Sequence, residues 1–129
     1  MDIPKSREEY DQITSAIIKC AHKVSNKLGC GFLEKVYENA LSHELRKAGI
    51  KVDQQRPIKV LYDGVVVGDY FADLLVEDVV IVELKTVKAL DDTHFAQCLN
   101  YLKATEIRVC LLINFSKPLV DVRRIVNGF

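Results

Sequence analysis

At 129 residues the chain is most simply one domain, long enough to bury a core. Its composition, 49% hydrophobic and 28% charged, excludes a disordered or fibrous chain. The balance of 18 basic against 18 acidic residues excludes a dedicated basic coat for nucleic acid, though not a local basic patch.

No apolar run approaches the ~20 residues that span a bilayer, and the polar start MDIPKSREEYD has no secretory apolar stretch. A soluble, cytoplasmic protein with no membrane partner is therefore expected. A first helix is expected from about Ser6 to Leu28. Ile13, Ile17, Ala21, Val24 and Leu28 recur at helical spacing, and Gly29 supplies the stop. Lys19, Lys23 and Lys27 form a basic line along it, readable as a solvated face or as a phosphate contact. A second helix is expected from about Leu33 to Ala48, with Leu33, Val36, Tyr37, Ala40, Leu41, Leu45 and Ala48 as its stripe. Glu44 falls in the middle of that stripe and Glu34 near its edge. A glutamate centred on an apolar face implies a partner or a function.

The period then changes. Asp63-Gly64 marks a hairpin turn between strands of about Val52–Tyr62 and Val65–Val76, the first with an edge-like irregularity at Pro57. VVIVELK, residues 79–85, is a third strand. A helix of about Asp92–Thr105 follows, with an aspartate cap and Phe95, Leu99 and Leu102 as its core stripe. IRVCLLINF reads as a buried strand and PLVDVRRIV as a last, alternating one. The order α-α-β-β-β-α-β-β implies an α/β fold, a mixed sheet covered by helices. Cys20, Cys30, Cys98 and Cys110 show no zinc-like spacing and fall in or beside apolar patterns, so they are expected to be reduced core thiols.

The third strand ends in Glu83 and Lys85, two residues apart and hence on one side. Asp73 is the nearest acid inside the preceding strand. With Asp78 at the centre of the turn, Asp73 opposes Glu83. A two-residue turn at Glu77-Asp78 would pair residues 73 and 82 instead and split the acids between faces. Facing carboxylates imply a cation between them, and oxygen ligands suit Mg²⁺ or Mn²⁺. Lys85 would then orient a water or offset charge developing on a phosphate. Without such a partner, Glu83 and Lys85 read as a surface pair at a strand end. His94, Gln97 and Tyr101 share one face of the third helix, away from Phe95 and Leu102, where they could meet a phosphate or a base.

Asp73, nine further residues and Glu83-Leu84-Lys85 resemble the D-x(n)-E-x-K signature of the PD-(D/E)XK nuclease superfamily, with Ala72 where the variable proline would stand. Gly31-Phe32-Leu33-Glu34-Lys35-Val36-Tyr37 is similar to the motif of the GxxExxY protein family, a branch assigned to that superfamily, and QCLNYL and LLINF are similar to it too. The resemblance implies a restriction-endonuclease-like fold. It also implies Asp73, Glu83 and Glu34 as ligands of Mg²⁺ or Mn²⁺, Lys85 as the catalytic lysine, and Gln97 and Tyr101 as a Q-x-x-x-Y element beside the site. Glu34 reads equally as a first-turn helix acid favoured by the dipole, and Tyr37 as a core tyrosine with a satisfied hydroxyl. The implied activity is hydrolysis of nucleic acid, DNA ahead of RNA. The rival readings are a catalytically idle binding module on the same fold and a subunit of a larger assembly, including a homo-oligomer.

Overall fold

The computed structural model describes residues 5–128. Helix α1 (Arg7–Leu28) opens with a capping box. Ser6 Oγ accepts from the Glu9 N–H at 3.2 Å, and the Glu9 carboxylate accepts from the Ser6 N–H at 3.2 Å. A short loop leads to α2 (Glu34–Lys47). Then come β1 (Val52–Tyr62), β2 (Val65–Val76), β3 (Val80–Lys85), α3 (Asp92–Ala104), β4 (Val109–Asn114) and β5 (Asp121–Val126). The first four residues of the polar start lie outside the described residues. Among those described, no helix is long and apolar enough to cross a membrane.

The five strands lie in the order β1-β2-β3-β4-β5, antiparallel except for β3 with β4. That parallel pair needs a crossover, and α3 supplies it. Both β3 and β4 are covered on both faces, which is why they read as continuous apolar runs rather than as alternation. On one side α1 and α2 pack Ile17, Leu41 and Leu45 against Leu74, Val82, Leu84 and Ile113. On the other, α3 packs Cys98 and Leu102 against Ile81, Cys110 and Leu112. The result is three layers with β3 at the centre.

Asp63 and Gly64 take φ of 52° and 76°, the left-handed pair that a two-residue hairpin demands. The irregularity expected at Pro57 lies elsewhere. Pro57 pairs in register with Phe71, while Gln55, two residues earlier, sits at φ 53° and drops out of the ladder between the 54–74 and 56–72 pairs. The consequence is large. Val52 packs under α1 and α2, whereas Ile58 packs under α3. An unbroken strand would keep two even-numbered residues on one face. Leu74 and Ala72 divide between the two cores in the same way, so the hairpin turns over at Gln55 and Asp73. Cys30 corrects the reading of the cysteines as core thiols. It is exposed in the loop before α2, while the other three are buried.

Candidate active site

The β2–β3 turn is a three-residue loop, with Glu77 and Asp78 at φ 52° and 60° and the Val79 N–H bonded to the Val76 carbonyl at 3.1 Å. Its ladder pairs Val76 with Val80, Leu75 with Ile81 and Leu74 with Val82, then stops. Continued by one step, that register sets Asp73 opposite Glu83, the arrangement an odd loop allows. Here carboxylates replace the missing backbone acceptors. The Asp73 N–H donates to Glu83 Oε1 at 3.1 Å, and the Leu84 N–H donates to Asp73 Oδ2 at 2.8 Å. Each acid thus satisfies a main-chain donor where the strands part, which fixes both carboxylates at the split.

Burial is the main reason the Glu83 carboxyl is pushed up to about 9, and the charge of Asp73 adds to it. Asp73 is raised by burial as well, against the opposing hydrogen bond from Leu84. Among the described residues neither carboxylate has an ion-pair partner. Lys85 leaves β3 on the Glu83 side and acts on both acids at longer range. Glu34, in the first turn of α2, is raised by burial and by Asp73 and is eased by Lys85, so it faces the same centre. No three His, Cys, Asp or Glu side chains among the described residues gather closely enough to hold a metal ion by themselves. Glu34 therefore approaches the pair without completing a three-ligand cluster.

Glu38 is the residue that the sequence reading passed over. One turn beyond Glu34, it is 3% exposed, and its carboxylate binds Lys35 Nζ at 2.8 Å and the Nε2 atoms of Gln54 and Gln55 at 2.7 Å each. Gln55 Nε2 also reaches Asp73 Oδ1 at 3.4 Å. The strained Gln55 backbone thus turns an amide from the α2 acid to Asp73 on β2. The signal was present as an i, i+4 pair of glutamates, Glu34 and Glu38, on one helix face.

The third helix needs a correction. His94, Gln97 and Tyr101 do not form a face turned away from the core. Tyr101 is buried with Cys98 and Leu102, while Phe95 and Leu99 are only partly covered. The buried line runs through Tyr101 because α3 packs mainly over β4 and also meets β1 and β5. Burial and the nearby Glu83 and Asp73 raise the Tyr101 hydroxyl well above its ordinary value, so it borders the acids. His94 is committed elsewhere: its Nδ1 accepts the Asp91 N–H at 3.0 Å as half of a capping box. Tyr37 is fully buried, stacked on Phe115 at 4.7 Å. Its hydroxyl donates to the Gly29 carbonyl at 2.6 Å and accepts the Phe32 N–H at 3.3 Å. With Gly31 at φ 102°, this clamps the loop that delivers Glu34.

The donor set fits a small divalent cation. Two oxygen ligands raised by burial, Glu83 also by Asp73 and Asp73 also by Glu38, are relieved by positive charge, and Mg²⁺ binds through one or two carboxylates while keeping waters and substrate phosphates. A family model described as the PD-(D/E)XK nuclease superfamily matches residues 11–125. No protein of curated function is significantly similar. Among solved structures, an alkaline exonuclease from Laribacter hongkongensis is similar at a TM-score of 0.51 and 11% identity, over 92% of this chain and 82% of that one. At that identity the likeness concerns the fold, and it agrees with a restriction-endonuclease-like sheet.

Proposed function

The chain belongs to the PD-(D/E)XK nuclease superfamily, and on that premise we propose that it is a metal-dependent nuclease hydrolysing phosphodiester bonds, of DNA ahead of RNA. Within the superfamily we assign it to the GxxExxY branch, on Gly31, Glu34 and Tyr37. The observation that carries the catalytic reading is the reciprocal lock of Asp73 and Glu83, a half-buried and a buried acid without an ion-pair partner among the described residues.

Asp73 and Glu83 would hold Mg²⁺ or Mn²⁺, with Glu34 within electrostatic reach. The bound ion would supply Lewis-acid polarisation of the phosphoryl oxygen and a water of lowered pKa. Lys85 presents an ammonium beside the acids, where it orients the attacking water and offsets charge developing on the phosphate. Gln55 and Glu38 hold Asp73 in place. The buried wall of Ile81, Tyr101 and Cys98 keeps the local dielectric low.

The test is cleavage of single-stranded DNA, duplex DNA and RNA in Mn²⁺, comparing wild type with Asp73→Asn. Cleavage of DNA by wild type alone is the expected result. Absence of cleavage on all three substrates, with metal binding intact, would make the protein an idle binding module on the same fold.

A further inference from the structure

Beyond the level of Gln55 and Asp73 the β1–β2 hairpin leaves the sheet, because β3 pairs only with residues 74–76. It continues as a two-stranded ribbon, an arrangement of marginal stability alone. Between this ribbon and α3 lies a groove of about 850 Å³, within the ~300–1,000 Å³ typical of ligand sites. From the ribbon it is lined by Val60, Val67 and Tyr70, and from the helix by Gln97, Asn100 and Lys103. Tyr101, on which Glu83 and Asp73 act electrostatically, lines it too.

Three features restrict the occupant. None of the lining side chains is acidic and Lys103 is among them, in a chain of zero net charge, so the groove suits an anion. Tyr70 is half exposed, with its ring over Gly68 and tilted against Tyr101 at 5.9 Å. A Cβ on Gly68 would stand 3.4 Å from that ring, so the ring lies close along the ribbon. A tyrosine face inside a groove can be reached by an unpaired base and not by a stacked duplex. Tyr101, which also lines the groove, lies within electrostatic reach of both acids, so a strand held there borders the proposed reacting centre.

From these features we infer that the groove between the ribbon and α3 is a track for single-stranded nucleic acid. Tyr70 stacks a base, Lys103 contacts a phosphate, and Gln97 and Asn100 hydrogen-bond base edges or sugar. This deepens the nuclease reading and rests on it: the substrate at the acids is an unpaired strand or a frayed end, not an intact duplex.

The test is fluorescence anisotropy with labelled oligothymidylate of about 12 nucleotides, a length such grooves can track, against a duplex of equal length, in Ca²⁺. Wild type is expected to bind the single strand more tightly. Tyr70→Ala should weaken that binding roughly 5- to 150-fold, as loss of one stacked base does. Tyr70→Phe should bind like wild type and thereby shows that the ribbon still folds. Lys103→Ala should reduce the salt slope by about 0.7, one single-strand phosphate. Tyr62→Ala, at the ribbon tip and outside the groove lining, should change nothing. Equal affinity for duplex and single strand, or Tyr70→Ala binding like wild type, would overturn the inference. So would light scattering showing that Tyr70→Ala splits a dimer without altering binding, since the groove would then be covered by a second copy. Retained strand binding without cleavage would sink the nuclease reading and leave the track standing. Cleavage with no Tyr70 effect would do the reverse.

Discussion

Glu44 and Glu83 are both buried carboxylates, Glu83 beside the half-buried Asp73, and they have opposite neighbours. Around Glu44 stand Lys23 at 3.4 Å, Lys27 at 3.6 Å and Lys47 at 3.6 Å. Burial pushes its carboxyl up, but the Lys23 hydrogen bond and the three ammoniums outweigh that and leave it below its ordinary range. At the Asp73–Glu83 split no ion pair offsets burial, and both acids are raised. Burial of an acid is thus a poor signal of function. The informative feature is burial without a compensating cation, which stores a preference for a positive guest. The basic line on α1 has the complementary meaning, because two of its three lysines serve Glu44.

The comparison can be broken most sharply at Asp73. Asp73→Asn should reduce Mn²⁺-supported cleavage to the assay background, whereas Glu44→Gln should leave the rate unchanged. Lys85→Ala comes next: a rate loss of about 10²–10³, roughly 3–4 kcal/mol, with metal binding largely intact. Lys85→Arg should not restore the rate, because a planar fork does not reproduce a compact ammonium. A Lys85→Ala enzyme that cuts as fast as wild type would make the lysine structural.

Stability against pH separates the two regions further. Glu83, raised from 4.5 to about 9, keeps a proton in the native state that the unfolded chain has already released. Its contribution is full below about pH 4.5 and is lost as pH rises toward about 9, so metal-free melting temperatures should fall across that window. Glu83→Gln should flatten the fall. Glu44 is depressed, so its contribution is present above its unfolded pKa and is lost as pH drops through the lowered native value. Glu44→Gln should cost stability at neutral pH by a small margin, since its lysines are more than half exposed. Melting curves at about pH 5 and about pH 8 read both effects, and parallel slopes for the two variants would erase the distinction.

Much of this was legible in the chain because local chemistry and global fold agree. The Gly29 stop, the aspartate cap of α3, the Asp63-Gly64 turn and the apolar runs of β3 and β4 each mark an element whose position the structure repeats. The meeting of Asp73 and Glu83 depended on loop parity alone, and periodicity cannot choose between two- and three-residue loops. Glu38 had its signal in the i, i+4 spacing from Glu34, whereas Gln55 was out of reach for a different reason. A positive φ at a glutamine has no sequence signature, and the overturned hairpin that follows from it decides which core receives Ile58. Tyr101 was misplaced because the docking of α3 on β4 turns its ring into the apolar cluster of Cys98, Leu102 and Leu112, a tertiary effect that helical spacing does not carry.

The most direct measurement is the melting temperature of wild type, Asp73→Asn and Glu44→Gln, each with and without millimolar Mn²⁺. If the uncompensated pair takes a divalent cation, Mn²⁺ raises the melting temperature of wild type and of Glu44→Gln by the same increment, and Asp73→Asn shows none. A wild-type melting temperature indifferent to Mn²⁺, or an equal rise in Asp73→Asn, would contradict the assignment of Asp73 and Glu83 as the metal-holding pair.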